Sequence, residues 1–139
     1  MRKVLVIMIC GLLFACKKED NTTPHRSFYG KWTFQTAIAR QYTVIQGDTT
    51  YHSIDTVHYN GSDYIDFTEN GVALSFTAQN QRTDTLGFEE ITPRHFRLDS
   101  LLCEATLVTD SALHYNSLDF SYNETPYVQI SQTFFILRR

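Results

Sequence analysis

The feature that most constrains this chain is a two-residue alternation of apolar and polar side chains that recurs from about residue 30 to the end. Successive strand side chains point to opposite faces, so such a pattern buries one face and wets the other. In Trp32-Thr33-Phe34-Gln35-Thr36-Ala37-Ile38 the residues Trp32, Phe34 and Ile38 fall on one face, and in Tyr64-Ile65-Asp66-Phe67 so do Ile65 and Phe67. Asn70-Gly71 is a tight-turn signal, after which Val72, Leu74 and Phe76 carry the alternation on. Phe96/Leu98, Cys103/Ala105/Leu107, Leu113/Tyr115 and Leu118/Phe120/Tyr122 follow, and the chain closes on an apolar stretch from Tyr127 to Leu137. The pattern predicts about nine short strands at the ~8–12-residue spacing of a sandwich or barrel. No stretch carries an amphipathic helical pattern longer than a turn or two. The expected class is all-β, an up-and-down antiparallel β-barrel of about eight or nine strands, because sequential hairpins without a long crossover close on themselves and remove exposed edges. An open β-sandwich has the same strand periodicity and stays open as the alternative.

The N-terminus reads differently. Met1-Arg2-Lys3 is basic and Val4 to Ala15 is an almost unbroken apolar run, short of the ~20 residues that span a bilayer. That is the layout of a secretory signal peptide. Leu13-Phe14-Ala15-Cys16 resembles the bacterial lipobox, in which a small residue precedes a cysteine that is lipid-modified and becomes the mature N-terminus. The resemblance implies a lipoprotein anchored to a membrane through acyl chains such as palmitate on Cys16, with each buried CH2 contributing ~0.8 kcal/mol. Lys17-Lys18-Glu19-Asp20 is similar to the charged export signals that follow the lipidated cysteine in surface lipoproteins of the Bacteroidetes. That implies an outer-membrane protein displayed outward; a charged tether on a periplasm-facing protein is the alternative. The chain therefore divides into a signal peptide (1–15), a lipidated cysteine and polar tether of disordered composition (16–26), and one folded domain (27–139).

With residues 1–15 removed, 124 residues remain, carrying ten basic and fifteen acidic side chains for a net charge of −5. That is one domain's worth of chain, long enough to bury a core. An acidic chain without a basic block speaks against nucleic acid as a partner. Cys10 leaves with the signal and Cys16 is lipidated, so Cys103 has no partner for a disulfide. Among Leu102, Ala105 and Leu107 it reads as a small buried hydrophobe.

Two short motifs favour the barrel. Gly30-Lys31-Trp32 opens the first strand, and Phe134-Phe135-Ile136-Leu137-Arg138-Arg139 closes the last. This resembles the lipocalin superfamily, in which a Gly-x-Trp near the first strand packs at the closed end of the barrel beneath an arginine from the last strand. The resemblance implies barrel-closing roles for Gly30, Trp32 and Arg138. Physically, an indole plugs the barrel end while a guanidinium stacks on it and keeps its charge solvated. Together with the lipobox and the two hairpins at 64–76 and 107–115, the mature chain is similar to the small lipocalin-like lipoproteins of the Bacteroidetes. A carrier of a small hydrophobic ligand in the cell envelope is what that implies. A barrel of eight or more strands can hold one small ligand, and the 18 Tyr and Phe residues suit an aromatic-lined cavity. Tyr42, Tyr51, Tyr59, Phe76, Phe88 and Tyr115 are the candidate lining. The alternative is a filled barrel acting as a protein-interaction or inhibitor module through loops at 46–51, 79–84 or 122–126.

Catalysis ranks last, for want of parts. His52 and His58 are an even number of residues apart and share a strand face, but a metal would need His95 or His114 from another strand, and scattered surface histidines are the commoner explanation. Ser27, Ser53 and Ser100 lack a Gly-x-Ser-x-Gly elbow, and the adjacent Glu89 and Glu90 point to opposite faces. No enzyme, metal or cofactor is expected. Five of the nine aspartates precede a hydroxyl residue and then a small or apolar residue or threonine. The pattern resembles the O-glycosylation signal of exported Bacteroidetes proteins and implies Thr49, Thr56, Thr85, Ser100 and Ser111 as acceptors. Turn chemistry at strand entries explains it equally well.

Overall fold

A computed structural model describes residues 28–122 and 128–139; the signal, Cys16 and the tether lie outside them. Nine strands follow in chain order: β1 (Gly30–Ile45), β2 (Asp48–His58), β3 (Tyr64–Phe67), β4 (Val72–Thr77), β5 (Arg82–Glu90), β6 (His95–Leu98), β7 (Leu101–Val108), β8 (Ala112–Tyr122) and β9 (Val128–Arg138). The described residues contain no helix. β1 pairs with β3, each strand from β3 to β9 pairs with the next, and β9 returns to β1, every pairing antiparallel. The result is a closed eight-stranded up-and-down barrel plus one extra strand, and the β1–β9 pairing rules out the open sandwich.

The extra strand exists because β1, at 16 residues, is longer than the barrel wall it helps to build. Its lower part, Gly30 to Thr33, pairs with β3, while its upper part, Thr36 to Ile45, pairs with β2 on the same edge. Residues 59–63 form the step between β2 and β3. Two backbone bonds fix that step to β1: Tyr59 N–H donates to Gln35 O (2.9 Å) and Phe34 N–H donates to Asp63 O (3.0 Å).

Gln35 is also where the alternation changes phase. The register of β1 against β9 slips between Phe34 and Thr36, and an inserted residue swaps the faces of everything beyond it. Trp32 and Phe34 point inward, and the next buried residue is Ala37, so Ile38 lies on the outer face instead of sharing theirs. A second bulge, between Ala105 and Leu107, likewise leaves Leu107 38% exposed while Cys103 and Ala105 are buried. In β4 the turn sets the opposite phase from the expected one: Ala73, opposite the buried Phe67, faces inward, and Val72, Leu74 and Phe76 are only half-buried.

The lower barrel is filled. Phe28, Trp32, Phe67, Phe96, Leu113 and Leu137 are all at most 1% exposed. Phe96 is their hub, with ring centroids 5.0 Å from Phe28, 5.7 Å from Phe67, 5.9 Å from Phe88 and 5.3 Å from Tyr115, mostly at the tilted and edge-on angles that aromatic quadrupoles favour. At the floor the Trp32 indole N–H donates to Phe28 O at 2.6 Å. The guanidinium lying over the indole, 4.2 Å from the ring centroid, is that of Arg139, which also donates to Tyr29 O. Arg138 is not the closing arginine, because Leu137 points inward and is fully buried, so its neighbour in the strand points out. Arg139 lies just past the strand, held by its N–H to Ser111 O (3.2 Å), and is free to turn under the barrel. Gly30 has φ +103° and stands 3.5 Å, by its missing Cβ, from the Arg139 guanidinium.

Candidate functional site

Above the plug the interior changes character in steps that the strand registers define. Across β8, β9 and β1 the inward positions form rows: Leu113–Leu137–Phe34, then Tyr115–Phe135–Ala37, then Ser117–Thr133–Ala39, then Asp119–Ser131–Gln41. Large apolar side chains give way to small and polar ones within four rows. A half-open cavity of about 510 Å³ lies against these rows, which contribute Phe34, Phe135, Tyr115 and Ser117 to its wall. Its walls are apolar below, from Phe34, Ile65, Leu86, Leu98, Cys103 and Phe135. Toward the rim come Tyr59, Asp63, Ser75, Thr77, Asp99 and Ser117. A concavity of this size, with an apolar floor and polar groups converging at its rim, is a usual form of a small-molecule site.

The mouth is built by two short connections, each stapled by an aspartate. β6 and β7 are joined by the two-residue turn Asp99-Ser100, with Asp99 in the left-handed region at φ 49°, a conformation Asp tolerates better than most residues. Asp99 Oδ1 accepts from Gly87 N–H at 2.7 Å and Asp99 N–H donates back to Gly87 O at 2.9 Å. On the other side Asp63 Oδ1 accepts from Ala78 N–H at 2.7 Å, tying the β2–β3 step to the β4–β5 turn. That step leans Tyr59 over the cavity, its ring 5.2 Å from Phe34.

Three ionisable groups meet inside. Tyr115 is 2% exposed, and burial, then Cys103 and Tyr59, push its phenol well above the usual value. Burial and next the Asp63 charge raise Tyr59. Burial pushes the Cys103 thiol up to about 12, so it stays protonated at neutral pH and is a weak nucleophile. The Tyr115 hydroxyl has no hydrogen-bond partner among the described residues and opens into the cavity. Buried tyrosine hydroxyls normally find a partner.

The structure brings three of the six sequence-derived lining residues, Tyr59, Phe76 and Tyr115, to the cavity. Phe88 is instead in the plug, 4.9 Å from Phe67. Tyr42 and Tyr51 pair with each other on the β1–β2 arm, 5.5 Å apart, with Tyr51 57% exposed. Phe34, Phe135, Ser117, Asp63 and Asp99 line the cavity without having been singled out. Ser117 was reachable from sequence, since it follows Tyr115 by two positions and so shares its face. The five candidate glycan acceptors, Thr49, Thr56, Thr85, Ser100 and Ser111, are all exposed, and Ser100 is at the mouth. The described residues hold no group of three metal-ligating side chains; His52 and His58 instead contact Thr43 (3.1 Å) and Thr36 (3.4 Å). Of the loops considered as contact surfaces, 48–51 and 82–84 are strand, and 123–127 lie outside the described residues. No family model and no curated protein sequence matches this chain.

Proposed function

We propose that this protein is a lipid-anchored lipoprotein of the bacterial outer membrane whose lipocalin-like barrel binds a small hydrophobic ligand, without catalysing a reaction on it. The observation that carries the reading is the 510 Å³ cavity over an aromatic floor, into which the otherwise unpartnered Tyr115 hydroxyl opens. That hydroxyl can both donate and accept, so a ligand oxygen or nitrogen in the cavity would give it a partner. The neutral Cys103 thiol suits a binding wall better than a reactive one. The lipobox resemblance at Cys16 supports the anchor, and the fold gives it a consequence. The described chain enters at Phe28, under the plug and away from the mouth. A lipid on Cys16 would therefore hold the closed end near the bilayer and leave the mouth facing away from it.

The test is native mass spectrometry of residues 21–139, gently purified from a bacterial host and compared with the same sample after organic extraction. A discrete extractable mass is expected; an apo mass together with no binding of an uncharged fluorescent hydrophobic probe refutes the reading. The anchor is tested separately by palmitate labelling, which Cys16→Ala should abolish.

One observation favours a second reading, an interaction module. The outer row Phe120–Ile130–Tyr42–Tyr51 is largely apolar, with Phe120 48% and Tyr51 57% exposed, and Ile54 on β2 is 60% exposed. β2 pairs with β1 alone among the described residues, and an edge strand that exposes apolar side chains such as Tyr51 and Ile54 invites pairing. A photo-crosslinking residue at position 54 in native envelopes would capture one discrete partner if this reading is right, and nothing above background if it is wrong.

A further inference from the structure

We infer that the cavity selects amphiphiles whose head group is uncharged or positively charged, and excludes fatty-acid-type carboxylates. The inference rests on the reading of the cavity as a binding site and adds the chemistry of its ligand. Two charged side chains line the cavity, Asp63 and Asp99, and both are carboxylates. Each spends one oxygen on a backbone N–H. A carboxylate accepts through two oxygens with about four lone-pair sites, so each retains acceptor capacity at the mouth. Farther out along the inward rows of β8 and β2 the charges are again acidic: Asp119 extends the Tyr115–Ser117 face of β8, and Asp55 of β2 stands opposite Ala39.

Among the described residues one basic side chain stands on an inward row, Arg82 opposite the cavity-lining Thr77. Arg82, on β5 beyond the rim, is held by Asp84 at 2.6 Å. Lys31 lies outside the wall, its Nζ 3.5 Å from the Tyr64 ring centroid, and Arg97 pairs with Glu89 at 2.9 Å. Arg139 is under the floor with Trp32, and Arg40 sits on the outer row with Ile54 and Gln132. Arg138 points outward, and Arg94 is exposed in the β5–β6 turn. A carboxylate entering the mouth would thus meet like charge, with no uncommitted cation among the described residues to receive it. The interior instead offers hydroxyls. Tyr115 and Ser117 are 2% and 8% exposed, neither has a hydrogen-bond partner among the described residues, and both line the cavity. Hydroxyls both donate and accept, so they suit an alcohol, a carbonyl or an amine equally well. The ligand class is an apolar body sized to the 510 Å³ cavity, ending in a neutral hydrogen-bonding group or an ammonium.

The test uses three ligands of one chain length, dodecylamine, dodecanol and dodecanoate, each below its aggregation concentration. They compete with the uncharged probe N-phenylnaphthylamine on residues 21–139. Like charges a few ångströms apart at a protein surface interact strongly enough to predict that dodecanoate binds at least about tenfold more weakly than the amine. Asp63→Asn with Asp99→Asn keeps a carbonyl acceptor for Ala78 and Gly87 and should shrink that ratio to within about threefold. Dodecanoate binding as tightly as the amine, or a ratio unchanged in the double variant, overturns the inference while leaving the cavity a binding site. Failure of the probe and all three ligands to bind overturns the binding reading itself.

Discussion

Replacing Arg139 should cost far more than replacing its neighbour Arg138, although the two are adjacent and identical. The Arg139 guanidinium sits 4.2 Å from the Trp32 centroid and donates to Tyr29 O. A stacked cation of this kind contributes ~0.5–2 kcal/mol depending on how dry the contact is, and a charged hydrogen bond ~1.5–3 kcal/mol before solvent screening. Arg139 is exposed, so both belong at the low end, and Arg139→Ala is expected to lose about 2 kcal/mol. For a domain of this size that is a fall of roughly 8 °C in Tm. Arg138→Ala, a surface change, should stay within about 0.5 kcal/mol. The assay is urea unfolding of an N-terminally tagged domain, so that the C-terminus is native. Trp32 is the only tryptophan in the chain, and its emission should shift to the red in Arg139→Ala as its covering is removed. Arg139→Lys retains the charge but not the planar stack and should recover less than half of the loss. Equal effects at 138 and 139, or full rescue by lysine, would refute the stacking argument.

Three further outcomes follow from the same geometry. Gly30→Ala should destabilise by about 1–3 kcal/mol, because φ +103° is a conformation that residues with a Cβ rarely adopt; an unchanged urea midpoint would contradict it. Phe96→Ala removes the hub of four ring contacts at 0% exposure and should cost about 3–5 kcal/mol, read by the same unfolding curves. The Cys103 contribution to stability should be level below pH ~8.5, where an unfolded thiol begins to ionise, and then fall as pH rises toward the folded Cys103 value of about 12. The sign follows because the folded state raises the thiol's pKa, so the unfolded state releases its proton first. The raised Tyr115 and Tyr59 values steepen the fall above pH ~10. Cys103→Ala should remove the part that begins at pH ~8.5; a loss of stability in that range that persists in the variant would show another group is responsible.

Strand existence was legible in the sequence because it depends on local chemistry, and closure was the favoured reading beside an open sandwich that only the β1–β9 pairing ruled out. Period-two alternation, the Asn70-Gly71 turn and hairpins joined without crossovers leave little other than an antiparallel sheet that must hide its edges. The indole plug was legible through the family resemblance, which named Gly30 and Trp32 but placed Arg138 where the structure has Arg139. What each side chain faces was not. A bulge at Gln35 sends Ile38 outward and Ala37 inward, and another past Ala105 exposes Leu107. Where a bulge falls is decided by hydrogen bonds to segments remote in sequence, here Gln35 O with Tyr59 and Phe34 N–H with Asp63 of the β2–β3 step. The candidate site depends on those phases. Tyr42 and Tyr51 look like lining but pair on an outer arm, while Asp63 and Asp99 read as turn residues and become the charges of the mouth. The sequence alone therefore determined that this chain is an all-β protein of about nine strands. Tertiary structure decided that the barrel holds a cavity and what lines it, because inward and outward faces are assigned only when strands far apart in the chain set their register.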